Sequence, residues 1–155
     1  MAEWQWSRLD DLDRQQLYEI LRERQAVFTV EQDCPYQDAD GRDWTAWHLC
    51  SWDSGVPQPR LLAYLRLVDP GHKYTEPSIG RVLTTESARG TGLGRELMRR
   101  AVALSDRVHN HAAIRISAQL HLADFYREFG FEQVSEPYDE DGIPHIEMLR
   151  QAGEP

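Results

Sequence analysis

Arginine and glycine recur at short spacing in residues 89–95, which read Arg-Gly-Thr-Gly-Leu-Gly-Arg. The mostly aliphatic and β-branched residues 79–85 predict a strand before this stretch. After it, the apolar residues from Leu97 to Val108 fall on one face of a helix. A glycine-rich turn lets the backbone approach a ligand, and the first amides of a helix have no partner within it. Because the helix dipole adds positive charge there, the arrangement predicts a phosphate-binding loop.

The spacing of the glycines excludes two common phosphate loops. A Walker A loop ends in Gly-Lys-Ser/Thr, whereas Gly94 precedes an Arg-Glu pair. A dinucleotide-binding loop needs G-x-G-x-x-G, and Gly90 and Gly92 are followed by a third glycine one position too early. A nucleotide-binding dehydrogenase is therefore disfavoured. The remaining pattern, Arg-x-x-Gly-x-Gly from Arg89, also fits a turn that merely starts a helix.

The overall charge narrows the classes of partner. The 155 residues include 17 basic and 26 acidic ones, a formal net charge of −9. Such a chain repels nucleic acids and anionic membranes, so neither is expected as a partner, and it weakly favours a cationic acceptor. No apolar run approaches the ~20 residues of a membrane span, and no secretory signal is recognisable. We expect a cytoplasmic protein, one domain over residues 1–155, with Cys34 and Cys50 reduced.

Hydrophobic periodicity predicts the elements that position the loop. Strands are expected at residues 3–7, 44–52, 60–68, 112–118, 131–134 and 143–149. Helices are expected to include residues 17–28 and 122–129, the second ending at Gly130. An acidic turn is expected at residues 136–142.

A predicted loop at residues 30–43 carries five acidic residues. Their spacing is not that of an EF-hand, and no metal site is expected. They either stay solvated or line a site for a cationic amine. Arg24, beside the apolar face of the preceding helix, forms either a structural ion pair or a donor that orients an acid or a substrate. The five acids are Glu31, Asp33, Asp38, Asp40 and Asp43.

Two separated motifs resemble those of the GNAT acyltransferase superfamily. The first is Arg-x-x-Gly-x-Gly at residues 89–94, and the second is the Phe-Tyr-x-x-x-Gly-Phe helix end at residues 125–131. Residues 24–32, 34–41 and 140–145 resemble the ElaA-like branch, so the likeness runs from Trp4 to Met148. It implies an α/β (α+β) GNAT fold. Such a fold has a central, twisted, mostly antiparallel sheet with a splayed parallel pair of strands, and helices on both faces.

The resemblance also implies acetyl-CoA as cosubstrate and assigns the residues that bind it. The backbone of Val82, Leu83 and Thr84 pairs with the pantetheine arm, and Gln119 stands where relatives often carry an asparagine. Phe125 and Tyr126 face the sulfur. The residues that wrap the pyrophosphate are Arg89, Gly90, Thr91, Gly92, Leu93, Gly94 and Arg95.

Acyl transfer to an amine requires a base, a stabilised carbonyl oxygen and a group that assists the departing thiolate. A backbone amide near Leu83 or Thr84 is expected to polarise the carbonyl. By its position in the second motif, Tyr126 is predicted to act as the acid toward the thiolate. The candidate bases are Glu31 and His145, ranked above His48, which is by default a core histidine.

The predicted activity is therefore transfer of an acetyl group to an amine by direct attack in a ternary complex. The alternative is a non-catalytic acyl-CoA sensor or interaction module on the same fold. Acyl-homoserine-lactone synthases share the architecture but fit the two cofactor motifs less well. The acceptor is left open among a protein N-terminus, a lysine, a polyamine and a small metabolite. The protein is expected to be a monomer or a homodimer.

Overall fold

The computed structural model describes residues 2–154 and divides the strands between two sheets, both antiparallel. The first has the order β1-β2-β3-β4, from β1 (Ala2–Arg8), β2 (Ala46–Asp53), β3 (Leu61–Val68) and β4 (Ser78–Thr84). The second has the order β5-β8-β6, with β7 also paired to β8. Its strands are β5 (Ile114–Gln119), β6 (Phe131–Gln133), β7 (Tyr138–Glu140) and β8 (Ile143–Arg150).

The helices lie between these strands in the chain. They are α1 (Arg14–Arg24), α2 (Leu93–Val108) and α3 (Ala123–Arg127), with a π-helical segment, Gln25–Glu31, directly after α1. Short 3-10 turns occur at Leu9–Asp11, Arg42–Thr45, Glu86–Ala88 and Leu120–Leu122. None of the helices within residues 2–154 has the length and apolarity needed to cross a bilayer.

The expected splayed parallel pair is not present as a ladder in the described chain. All strand pairs there are antiparallel, and β4 and β5 belong to different sheets. One backbone bond joins them where they begin, from the Arg115 amide to the Pro77 carbonyl oxygen at 3.1 Å. Beyond it, Val82 of β4 and Ile116 of β5 line one cavity. The space between the strands is therefore taken by a cavity, and a central sheet is replaced by two sheets that share a core.

Helix α2 packs on that core through the face predicted from its spacing. Leu97, Met98 and Ala101 are fully buried, and they share one cluster with residues of both sheets. Val108, which the same spacing places on this face, is 36% exposed at the end of the helix. Burying such a face is what fixes the start of α2, and hence the glycine-rich turn, against the sheets.

Three local features differ from the sequence-based expectation. The first helix does not continue in α geometry, because the Gln32 and Cys34 amides bond carbonyls five residues back, those of Val27 and Thr29, at 3.2 and 3.1 Å. The β-branched residues of this segment disfavour a regular α-helix, and π turns are often found at functional sites. The expected acidic turn at 136–142 contains the short strand β7, and α3 is shorter than predicted.

Candidate functional site

The N-terminus of α2 has no side-chain cap, in contrast to that of α1. Helix α1 begins with a capping box, in which the Gln16 amide donates to Asp13 Oδ1 at 2.8 Å and the Asp13 amide to Gln16 Oε1 at 3.1 Å. The α2 cap is Gly92, with φ of 81°, and no side chain among residues 2–154 caps this helix. The Glu96 amide bonds the Gly92 carbonyl at 3.3 Å, so the amides before it are free of helical partners. They can receive an anion.

A pocket of about 330 Å³ lies at these amides. It brings together most of the residues predicted to hold the pyrophosphate. Thr91 is not among them, because its hydroxyl donates to the Ala88 carbonyl at 2.6 Å and closes the turn. A Cβ placed on Gly92 would meet no atom within 4 Å, so the space above the turn is open to a ligand. The pocket is lined by Thr84, Ala88, Arg89, Gly90, Gly92, Leu93, Gly94, Arg95 and Phe125.

Two arginines of the turn already have carboxylate partners. Arg89 Nη2 lies 2.8 Å from Glu31 Oε2, and Arg95 Nε lies 3.0 Å from Glu128 Oε1. The side chains of the first pair are 40% and 49% exposed. Glu31 therefore lies at the glycine-rich turn, where its carboxylate is paired with Arg89.

Replacement of Glu31 by glutamine is expected to tighten coenzyme A binding by a factor of about 1.4 to 5, the range set by an exposed ion pair worth roughly 0.2–1 kcal/mol. Isothermal titration with coenzyme A measures this Kd directly. Asp33→Asn, a nearby exposed acid with no ion pair to an arginine of the turn, is the matched control. Weaker binding by the glutamine variant would show that Glu31 helps to position Arg89 rather than to compete for it.

A second cavity, of about 420 Å³, lies between the two sheets. Its walls come from β4, β5, the π-helical segment, the loop after it and the β7–β8 hairpin. Val82 and Gln119, both predicted to contact the cofactor, face it, whereas Leu83 is buried in a separate core cluster. Thr84 lines the pocket at the glycine-rich turn instead. The two spaces thus lie at successive positions along β4.

Tyr126 lines the cavity from α3 and is 8% exposed. Burial raises the pKa of its hydroxyl to about 12, so the phenol is protonated at neutral pH. Within residues 2–154 this hydroxyl makes no hydrogen bond, while the ring packs edge-on against Phe125 and Phe131. Phe125, expected beside it at the sulfur, lines the pocket at the glycine-rich turn. Phe125 and Tyr126 are adjacent in α3, but Phe125 lines the pocket at the glycine-rich turn and Tyr126 lines the cavity between the sheets.

His145 of β8 also lines the cavity, and its ring is fixed by two contacts. Nδ1 lies 2.7 Å from the Ile143 carbonyl oxygen, and Nε2 lies 3.2 Å from Glu140 Oε2. Because a carbonyl only accepts, Nδ1 carries a proton and donates it. The nitrogen without a proton in the neutral ring is therefore Nε2, which lies beside the Glu140 carboxylate.

Glu140 is the functional candidate that the sequence analysis missed. It belongs to the ElaA-like stretch at residues 140–145, but nothing in the sequence showed its side chain beside His145. The contact arises because β7 folds back on β8, with Tyr138 opposite His145 in the register. Ser117 of β5 donates to Glu140 Oε1 at 3.2 Å, which connects the hairpin to the cavity wall.

Known proteins match this chain over nearly its whole length. Residues 63–151 match the family model described as the acetyltransferase (GNAT) domain. The chain belongs to the GNAT acetyltransferase family. Its ElaA-like character is confirmed by the Escherichia coli protein ElaA, 40% identical over 97% of each chain. A UPF0039 protein of Synechocystis is 45% identical over 94% of this chain and 93% of its own.

Solved GNAT structures agree with the same assignment. A Pseudomonas aeruginosa structure described as an acyl-CoA N-acyltransferase is 43% identical, with a TM-score of 0.89 over 97% of this chain and 99% of the other. The crystal structure of E. coli ElaA has the same TM-score, 0.89, over 97% of this chain and 100% of the other.

The remaining base candidate, His48, lies away from both spaces of this GNAT domain. It is 1% exposed on β2, with Nε2 at 2.9 Å from the Asp43 carbonyl oxygen and Nδ1 at 2.6 Å from the Tyr64 hydroxyl. The carbonyl fixes a proton on Nε2, so Nδ1 accepts from the tyrosine. Burial lowers the pKa of this ring. Because both ring nitrogens are hydrogen-bonded inside the protein, we assign His48 a structural role.

The acidic loop of the GNAT domain is held by a buried charge cluster, which consists of Arg24, Arg66, Asp38, Asp40 and Asp43. Arg24 lies 2.8 Å from Asp38 and 2.7 Å from Asp43, while Arg66 lies 2.6 Å from Asp40 and 3.0 Å from Asp43. Both guanidinium groups are almost fully buried. Arg24 thus forms structural ion pairs. Three of the five acidic residues of the loop belong to this charge cluster and are paired with its arginines rather than with a ligand.

The charge cluster is expected to make the fold sensitive to acid. Contacts with the arginines hold the pKa of Asp40 and Asp43 below its ordinary value, against the opposing effect of burial. Stability from a lowered carboxyl pKa is complete above the unfolded value, about 3.9, and is lost as pH falls through the folded value. The unfolding midpoint, followed by circular dichroism, should stay level from pH 7 to 5 and fall by several degrees below pH 4.

Asp43→Asn tests whether the charge cluster causes the fall of the unfolding midpoint below pH 4. It leaves two buried arginines short of a carboxylate, so it should cost about 3–5 kcal/mol at neutral pH and flatten the loss below pH 4. Asp10→Asn, on an exposed turn, is the control. If the Asp43 variant lost as much stability below pH 4 as the wild type does, other residues would be the cause of the loss.

Proposed function

We propose that this GNAT protein is an N-acetyltransferase that transfers the acetyl group of acetyl-CoA to an amine in a ternary complex. The observation that carries the proposal is the arrangement of the two spaces along β4. The uncapped start of α2 lies at the Thr84 end, and the cavity with Tyr126 and His145 lies along Ile79 to Val82. A strand rises ~3.3 Å per residue, so an extended arm of about 16 Å joins Thr84 to Ile79.

A bulge in β4 supports placement of the acyl group in the cavity. The register pairs Tyr64 with Leu83 and Arg66 with Gly80, so Arg81 and Val82 both lie opposite one residue of β3. Arg81 has φ of 53°, in the left-handed region. A bulge leaves a backbone group out of the ladder, and an unpaired amide is a donor for a carbonyl oxygen. We therefore assign polarisation of the thioester carbonyl to the bulge rather than to Leu83 or Thr84.

His145 is the base that the geometry favours. In the proposed step Nε2 takes the proton of the amine, directly or through a water, and Glu140 stabilises the imidazolium. The amine nitrogen forms a bond to the thioester carbon, the C–S bond breaks and its electron pair leaves on sulfur. The Tyr126 hydroxyl donates a hydrogen bond to that thiolate, which ends as the thiol when the proton held by His145 is returned through solvent. Glu31 and His48, placed elsewhere, are not part of this proposal.

The first test of the proposal is thermal unfolding with acetyl-CoA, coenzyme A, NAD or ATP. A ligand at a hundred times its Kd stabilises by about 2.7 kcal/mol, which raises Tm by roughly 5–10 °C for a domain of this size. We expect that shift with acetyl-CoA and coenzyme A alone, followed by release of thiol when amines are added. No shift with either would overturn the loop assignment. A shift without turnover of any amine would favour an acyl-CoA sensor.

A further inference from the structure

Three basic side chains line the cavity, and they differ in their partners: Arg42, Lys73 and Arg81. Arg81 Nε lies 2.7 Å from Asp38 Oδ1, and Arg42 Nη1 lies 3.4 Å from Asp40 Oδ2. Lys73 makes no ion pair or hydrogen bond with any side chain of residues 2–154, and its Nζ lies 5.4 Å from the centre of the Tyr74 ring. Among the described residues, Lys73 is thus the cavity cation that has no carboxylate at ion-pair distance.

The surroundings of Lys73 disfavour a positive charge unless an anion joins it. The side chain is only partly exposed. Burial is the largest cause that lowers its pKa, Glu140 opposes this effect, and the positive charges of Arg66, Arg81 and Arg42 add to it. An ammonium group held in such a place gains from any negative charge that enters the cavity, because the attraction is little screened there.

The same cavity offers the opposite charge for an amine. Glu140 and Asp141 line it together with His145, and neither acid belongs to the buried charge cluster. A molecule with an amine and an anionic group can therefore meet both signs of charge at once. A singly charged carboxylate matches the one cavity ammonium that lacks an ion pair, whereas a doubly charged phosphate would leave excess negative charge beside the two acids. A volume of about 420 Å³ suits a small molecule rather than a folded protein surface.

We propose that Lys73 binds a carboxylate of the acceptor, so that the acceptor is a small amino-carboxylate whose amine lies at His145 and Glu140. This inference rests on the proposed N-acetyltransferase function, and it identifies the class of acceptor. It also revises the weak preference for a cationic acceptor, because Asp38, Asp40 and Asp43 of the loop are paired with arginines, and the cavity presents Lys73 as well as Glu140 and Asp141.

Matched pairs of acceptors test the assignment. Initial rates of thiol release are measured with lysine and cadaverine, with phenylalanine and phenethylamine, and with leucine and isoamylamine, each pair differing only by the carboxylate. We expect the wild type to prefer at least one amino acid over its amine by tenfold or more in kcat/KM. In Lys73→Met that ratio should fall at least tenfold, mainly through KM, and Lys73→Arg should keep it within about threefold.

The outcomes separate this inference from the proposed function. Turnover of amines with no preference for the carboxylate, or a preference that Lys73→Met leaves intact, overturns the role of Lys73 and leaves the acetyltransferase standing. If no amine turns over, thermal unfolding with saturating coenzyme A and each amino acid provides the binding test. Stabilisation of the wild type but not of Lys73→Met supports the site even then, and no stabilisation by any amino acid overturns it.

Discussion

Replacing Tyr126 with phenylalanine is expected to lower kcat by about 10²–10³-fold, the usual cost of removing one hydrogen-bond donor that stabilises developing negative charge. The Kd for acetyl-CoA should change less than twofold, because the pocket at the glycine-rich turn does not include this residue. The ring packs against Phe125 and Phe131, and phenylalanine keeps that packing. Only the hydroxyl is lost, and it makes no other hydrogen bond within the described chain.

Single-turnover and steady-state rates, with Kd from titration, separate the two effects for Tyr126→Phe. Tyr18→Phe is the matched control, since Tyr18 is 72% exposed on α1 and remote from both spaces. A wild-type kcat in the Tyr126 variant would remove the phenol from the mechanism. A matching loss of acetyl-CoA affinity would mean that the hydroxyl binds the cofactor rather than assisting the thiolate.

Gly92→Glu should weaken acetyl-CoA binding more than a hundredfold. The new carboxylate would stand at the uncapped start of α2, where it satisfies the free amides and repels the pyrophosphate. The φ of 81° at this position adds roughly 1–2 kcal/mol of backbone strain. That cost is small enough for the protein to remain folded, so loss of binding can be measured on a native protein.

Gly71→Glu controls for the strain in this experiment. Gly71 has φ of 86°, and a Cβ there would also meet no atom within 4 Å, but it lies outside the pocket at the glycine-rich turn. Both variants should show similar falls in Tm, and only the Gly92 variant should lose the shift with coenzyme A. Equal affinity in the two variants would show that the turn is structural.

The local features of the fold were predictable, because each depends on residues close in sequence. The apolar face of α2 and the glycine-rich turn follow from periodicity over residues 89–104, and Met98 and Leu104 lie where the spacing puts them. The π-helical segment was not predictable, since its β-branched residues only weaken α geometry and do not dictate the alternative. Which tyrosine and histidine share a cavity is likewise absent from local patterns.

The features that the sequence left open depend on long-range contacts. His48 and His145 both lie on strands, and only the packing shows that one is enclosed by Tyr64 and the other faces the cavity. The acidic residues of the loop pair with arginines of β3 and α1. Asp40, for example, pairs with Arg66 of β3. Such pairs require the folded positions of distant elements, which composition and spacing do not contain.

Within residues 2–154 one backbone bond, between Pro77 and Arg115, joins the two sheets, so we treat it as the fixed apex of the space between them. From Pro77 to Thr84 the strand spans about 23 Å, so a rotation of about 5° at the apex moves the far end by about 2 Å. The gap beside Thr84, at the pocket of the glycine-rich turn, is therefore far more sensitive to packing at Pro77 and Arg115 than the cavity wall at Ile79 is.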